Sequence, residues 1–249
     1  MLILQPLVIN TPLLKIPLLV TYATSVYGGM TPPAKPSPEK EPSSTSQTDF
    51  ITRSVQLSYA LATTCKCIVG GLALAEAALL VAHSTPPNAI SDSVISLLGQ
   101  GLSVSSFRPS YVSVVGLACA TLGGQIRIWC HRSLGKFFTW TVTVQDDHEL
   151  ITSGPYAVVR HPSYLGWLLM VAGNLTYLLD RSSYLIASGW AKTTLGRAAI
   201  AVLVFQAGLV TPGLMARMDR EDEKMRETFG DRWDAWAERV PYSVIPFIY

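Results

Sequence analysis

The chain reads as long apolar runs separated by polar gaps, and the lengths of the runs carry most of the information. Residues Leu2 to Val26 are apolar but broken by Pro6, Pro12, Pro17 and Lys15, a pattern compatible with a kinked span, an interfacial segment or a signal-like leader. Val55 to Ala82, Tyr111 to Trp129 and Trp190 to Met215 are each long enough to cross a bilayer as a helix. Tyr164 to Leu179 adds another span, which begins straight after His161 and Pro162, where proline suits the first turn of a helix. Pro212 is expected to kink or end the last apolar helix. Between His83 and Ser110 the chain is rich in Ser, Pro and Gly, and its apolar run Val94 to Val104 is too short to cross easily.

The polar stretches are of three kinds. Thr31 to Thr48 (TPPAKPSPEKEPSSTSQT) has too little apolar surface to offset the entropy of ordering it and reads as a flexible loop. Lys66 and Glu76 interrupt an apolar run, where a charge is costly in lipid. They are expected to face other helices or an interface, with a charged functional site as the alternative. From Arg217 onward the composition changes to a charged helix on which Met218, Met225, Phe229, Trp233, Trp236 and Val240 recur at three- and four-residue steps. Such a stripe needs a partner surface.

Composition sharpens this picture. Of 249 residues, 49% are hydrophobic and only 14% charged, too few charges to cover a soluble domain of this size. A formal charge of +2, from 19 basic and 17 acidic side chains, argues against a nucleic-acid partner. Cys65, Cys67, Cys119 and Cys130 lie in or beside apolar runs without zinc-type spacing, so they read as packing residues and no metal site is expected. If the loops alternate sides, Lys35, Lys40, Arg53, Arg132, Lys136, Arg160 and the basic tail share one face, and Arg108, Arg181 and Lys192 the other. The richer face is assigned to the cytosol. The expected architecture is all-α: a polytopic transmembrane bundle of about five to six spans with a cytosolic C-terminal helix. It divides into an N-terminal apolar segment and loop (1–54), membrane spans (55–144) and a C-terminal part (145–249).

Two constellations carry chemistry. In the first, Gly154-Pro155-Tyr156 and Arg160-His161-Pro162-Ser163-Tyr164 with Gly166 form a turn and then an aromatic, basic cluster at the mouth of a span, where a helix N-terminus favours an anionic group. An interfacial anchor is the competing reading. In the second, Arg217 and Glu221 sit four residues apart on one helix face below a span, followed by Asp222, Met225, Phe229-Gly230 and Val240-Pro241 through Ile245-Pro246-Phe247. One guanidinium and one carboxylate could hold the two ends of an amino acid; an ordinary surface ion pair is the alternative.

Together and in this order, the two motifs resemble the isoprenylcysteine carboxyl methyltransferase family over about Gln145 to Ile248, whereas the N-terminal half matches only in being hydrophobic. The resemblance implies an endoplasmic reticulum membrane enzyme that methylates the C-terminal carboxylate of prenylated CaaX proteins. It implies S-adenosylmethionine as methyl donor, in a pocket closed by the C-terminal helix. It implies cofactor contacts at Gln145, His148, Glu149, Leu150, Ile151, Tyr156, His161, Pro162, Ser163 and Tyr164, with Glu221 on the methionine end and Arg217 on the substrate carboxylate. A carboxylate acceptor is already a nucleophile at neutral pH, so no general base is required. A related membrane methyltransferase acting on a phospholipid amine or another small hydrophobic acceptor is the alternative reading.

Overall fold

The structure is a computed structural model describing residues 12–33, 55–99, 101–138 and 148–248. The start of the first apolar run, nearly all of the Pro/Ser-rich loop and Gln145 lie outside the described residues. Eight α-helices are described: α1 (Lys15–Gly29), α2 (Val55–Ser84), α3 (Ala89–Leu98), α4 (Tyr111–Leu134), α5 (Pro162–Leu178), α6 (Tyr184–Ala187), α7 (Thr194–Phe229) and α8 (Asp231–Arg239). No strand occurs among the described residues, and the architecture is an all-α membrane bundle. Within the described residues, α2, α4 and α7 are long and apolar enough to cross a bilayer, whereas α1 and α5 have 15 and 17 residues.

Helix starts follow local chemistry. The Asn88 side chain accepts from the Ile90 and Ser91 N–H groups at 2.9 and 3.0 Å, so α3 begins before the expected run at Val94. Ser110 caps α4 through the Ser113 N–H at 2.9 Å, Thr193 caps α7 through the Gly196 N–H at 3.0 Å, and Pro162 is the first residue of α5.

Helix α4 is the centre of the bundle because small residues let its neighbours approach backbone to backbone. A Cβ built on Gly123 would land on the backbone of Gly166 and Met170, and one on Gly173 would meet Ala120 and Gly116, so α4 and α5 touch along their length. On another face of α4, a Cβ on Gly124 would fall 2.5 Å from the Ser25 carbonyl oxygen of α1. The fit is therefore one of main chains, in which lipid gives no hydrophobic advantage and close packing supplies the attraction.

Two expectations meet a definite answer. Pro212 does not end its helix: α7 runs unbroken from Thr194 to Phe229. The lost backbone bond is tolerated in a membrane helix where neighbours hold the chain, and here Trp167 of α5 donates from Nε1 to Thr211 Oγ1 at 3.0 Å. The polar tail is thus a rigid extension of the last long helix, and the break comes at Gly230, with φ of 52°. The charges within apolar runs face other helices. Glu76 is fully buried against Lys15 Nζ at 2.5 Å and accepts from the Tyr177 hydroxyl and the Tyr184 N–H, each at 2.8 Å. Lys15 also donates to the Ser182 carbonyl at 2.7 Å, so one network ties α1, α2, α5 and α6 at one end of the bundle. Lys66 donates to Thr31 Oγ1 at 2.8 Å and lies over the Tyr27 ring.

Candidate active site

At the opposite end of the bundle, where α7 turns from apolar to charged, the segments 148–164, 217–225 and 233–236 surround one cavity of about 250 Å³. The site begins with α5. Pro162 starts that helix and leaves His161 just outside it, with its ring stacked on Tyr164 at 5.2 Å and 10°. From the facing α7, Glu221 and Asp222 reach the two imidazole nitrogens: Nδ1 lies 3.4 Å from Glu221 Oε2 and Nε2 lies 3.1 Å from Asp222 Oδ1. Burial alone would lower the imidazolium pKa, but hydrogen bonding to and the charges of Asp222 and Glu221 outweigh it and raise it to about 9. The two carboxylates thus favour the imidazolium, which can donate from both nitrogens, over a neutral ring acting as a base.

Arg217, one turn before Glu221, is buried and donates from Nε to Glu221 Oε1 at 2.7 Å, with Nη2 at 2.6 Å from the same oxygen. The Tyr164 hydroxyl also bonds to Glu221. A carboxylate offers about four lone-pair sites. Two contacts from Arg217 and one each from His161 and Tyr164 occupy these sites and fix the orientation of the Glu221 carboxylate.

Arg160 explains why the turn motif and the Val-Pro motif belong together. Its Nε donates to Asp222 Oδ2 at 3.0 Å, Nη1 to the Pro241 carbonyl at 2.7 Å and Nη2 to Ser243 Oγ at 2.7 Å. The main chain joins in: Arg160 N–H donates to the Tyr242 carbonyl at 2.9 Å and His161 N–H to that of Ser243 at 2.7 Å. The C-terminal segment is thereby strapped beneath the cavity, and Val244 is fully buried.

The cavity brings together every sequence-predicted site residue that is described: His148, Glu149, Leu150, Ile151, Tyr156, His161, Pro162, Ser163, Tyr164, Arg217 and Glu221 all line it. Gln145 lies outside the described residues. The apolar stripe on the tail finds its partner in the protein itself, since Trp236 and Val240 pack on Cys130 and Tyr156, and Trp236 Nε1 donates to the Tyr156 carbonyl at 3.2 Å. Burial holds the Tyr156 hydroxyl in its neutral form, well above its ordinary pKa. Sequence reasoning passed over Arg127, which sits inside α4 and also lines the cavity. It donates from Nε to the Gly29 carbonyl at 2.7 Å and from Nη1 to Ser163 Oγ at 2.9 Å, linking α1, α4 and α5. A charge within an apolar run was the available signal. Phe137, Phe138, Trp233 and Trp236 add aromatic walls, and the buried Trp233 Nε1 has no acceptor among the described residues.

Comparison with known proteins gives the site a context. The model of the isoprenylcysteine carboxyl methyltransferase family matches residues 114–190, which hold α4, the turn motif and α5. The resemblance to that family is real. The chain is 28% identical to protein-S-isoprenylcysteine O-methyltransferase B of Arabidopsis thaliana over 140 residues, 55% of this chain and 61% of the relative. It is 35% identical to the protein-S-isoprenylcysteine O-methyltransferase of Xenopus laevis over 144 residues, 56% of this chain and 42% of the relative. A Delta(14)-sterol reductase of Mus musculus is 32% identical over 110 residues, 44% of this chain but only 22% of that protein. The chain thus spans less than two thirds of the length of each of these relatives. The matched segment supplies the His161 side of the cavity, whereas Arg217 and Glu221 come from α7, beyond it.

Proposed function

We propose that the protein transfers a methyl group from S-adenosylmethionine to the C-terminal carboxylate of a prenylated cysteine in CaaX-type proteins. The observation that carries this reading is that one cavity joins a charged mouth, built on His161, Arg217, Glu221 and Asp222, to an apolar depth lined by Ala62, Trp167, Val210 and Leu214. Such a compartment suits the meeting of a polar cofactor with a lipid-borne acceptor. The reading agrees with the names of the methyltransferase relatives.

The residues present fit the cofactor. Glu221 brings an oriented negative charge to the cavity wall that would attract an ammonium, and the unpaired Trp233 N–H offers a donor beside the aromatic walls that suit a purine. His148 to Ile151, Tyr156 and the His161 to Tyr164 run would line its remaining surface, with Gln145 assigned there by resemblance alone. When bound, S-adenosylmethionine supplies an electrophilic methyl group on a sulfonium.

The chain's own residues then position and desolvate. Arg217 presents a planar two-pronged donor that would orient the acceptor carboxylate. With its pKa raised, His161 is suited to donate rather than to act as a base, which fits a carboxylate acceptor, since an amine must lose a proton and a carboxylate need not. The apolar walls exclude water from a reaction that cancels opposite charges. Residues 145–249 form the catalytic core on this reading, with Met30, α2 and α4 completing its wall. The concentration of Lys and Arg at the site end, together with the tail, supports a cytosolic mouth, and the endoplasmic reticulum membrane is assigned by resemblance alone.

The test is transfer of labelled methyl from S-adenosylmethionine to N-acetyl-farnesylcysteine by membranes containing the protein. A base-labile labelled ester is the expected product, and its absence with folded protein overturns the proposal.

A further inference from the structure

Away from the charged mouth, the cavity wall carries polar side chains on α2 and α7, Ser58 and Gln206, of which Gln206 is the more deeply buried. Gln206 sits within the apolar stretch of α7, is 5% exposed, lines the cavity and has no hydrogen-bond partner among the described residues. Its amide is not sealed within protein but opens onto the cavity, where water or a ligand must satisfy it, because leaving it bare is costly. It lies opposite α2, where Cys65 Sγ approaches the Val202 carbonyl at 3.9 Å one turn away, and Ala62 lines the same end of the cavity.

Along α7, Gln206 precedes Arg217 by eleven residues, which at the helical rise is roughly 16 Å. Resting on the proposed function, in which Arg217 meets the acceptor carboxylate, this separation sets a length. From the carboxylate through the thioether to the end of an extended farnesyl main chain is about 19 Å, and a geranylgeranyl chain adds about 5 Å more. The last isoprene unit of farnesyl then comes level with Gln206, whereas geranylgeranyl must run past it. A hydrocarbon passing the amide strips its water and offers no hydrogen bond in return.

We propose that Gln206 is a specificity-determining residue: a polar end-stop in the acceptor compartment that makes the protein prefer farnesylated over geranylgeranylated cysteine. The penalty is that of one amide left unsatisfied, which corresponds to a preference of about tenfold in kcat/KM. Replacing the amide by an apolar side chain of similar size removes the penalty without closing the cavity.

The experiment measures kcat/KM for N-acetyl-farnesylcysteine and N-acetyl-geranylgeranylcysteine with the full chain in membranes, for wild type, Gln206→Met and Gln206→Leu. The wild type is expected to favour the farnesyl substrate about tenfold, and both variants to bring the ratio near one. Equal use of the two substrates by the wild type overturns the inference whatever the variants do. So does an unchanged ratio in either variant that still methylates. If the wild type methylates neither substrate, the functional reading fails, and this inference with it.

Discussion

Glu221 and Arg217 share an ion pair yet are assigned to different molecules, and the difference can be measured. Glu221→Gln keeps the shape but removes the charge proposed to face the cofactor ammonium. It is expected to raise the Kd for S-adenosylmethionine about tenfold or more, the loss of a charge-assisted bond of about 1.5 to 3 kcal/mol. Arg217→Lys keeps a positive charge but loses the fork, and should lower kcat/KM for farnesylcysteine far more than it weakens cofactor binding. A titration calorimetry series beside initial-rate kinetics separates the two, and an Arg217→Lys protein that loses only cofactor affinity would reverse the assignment. His161 adds a pH dependence. Its folded pKa of about 9 is above the ordinary value of 6.5, so its charged interactions with Glu221 and Asp222 stabilise the fold fully below about 6.5. That contribution declines from there and is lost as the pH rises through about 9. The melting temperature of wild type in detergent should fall across this window, and His161→Gln should flatten the fall. Parallel curves would show that His161 does not hold the charge.

At the scale of elements, α4 owes its central place to glycines that read in the sequence as little more than apolar filler. Gly123→Ala puts a methyl group into the Gly166 and Met170 backbone and should destabilise by about 1 to 3 kcal/mol, seen as a lower melting temperature in detergent. Gly70→Ala in α2, where nothing lies within 4 Å, should be neutral or slightly stabilising, since alanine is the better helix former. Equal effects at both positions would remove main-chain contact as the reason for the α4 to α5 pairing. The starts of α4 and α5 were legible because local chemistry sets them: Ser110 stands directly before the expected start at Tyr111, and Pro162 directly after His161; the ends were less so, since α4 runs on past Trp129 to Leu134 and α7 past Met215 to Phe229. The fate of Pro212 was not legible. Whether a proline ends a helix depends on what surrounds it, and α7 continues through Pro212 with Trp167 bonded to the adjacent Thr211.

Across the whole molecule the polar groups divide between two ends. The cavity and its charges lie at one, and the Lys15 and Glu76 pair at the other, linking four helices away from the chemistry. Breaking a buried pair by removing one member leaves an uncompensated charge and costs about 3 to 5 kcal/mol, while replacing both members together can be near neutral. Glu76→Leu should therefore lower the melting temperature sharply, Lys15→Met with Glu76→Leu should recover much of the loss, and cofactor affinity of the folded fraction should stay unchanged in both. A weaker cofactor in the folded double variant would mean that the two ends are coupled. What the amino-acid order determined by itself was local or additive: apolar runs of bilayer length, caps and turns, the excess of positive charge on one set of loops, and motifs whose residues are close in the chain. The meeting of Arg160 with Ser243, of His161 with Glu221 and Asp222, of Lys15 with Glu76, and the exposure of Gln206 to the cavity were decided by tertiary structure alone. These partners lie 60 to 83 residues apart, and the reach of a side chain across a helix interface depends on how closely the main chains pack, which no pattern of hydrophobic and polar positions encodes.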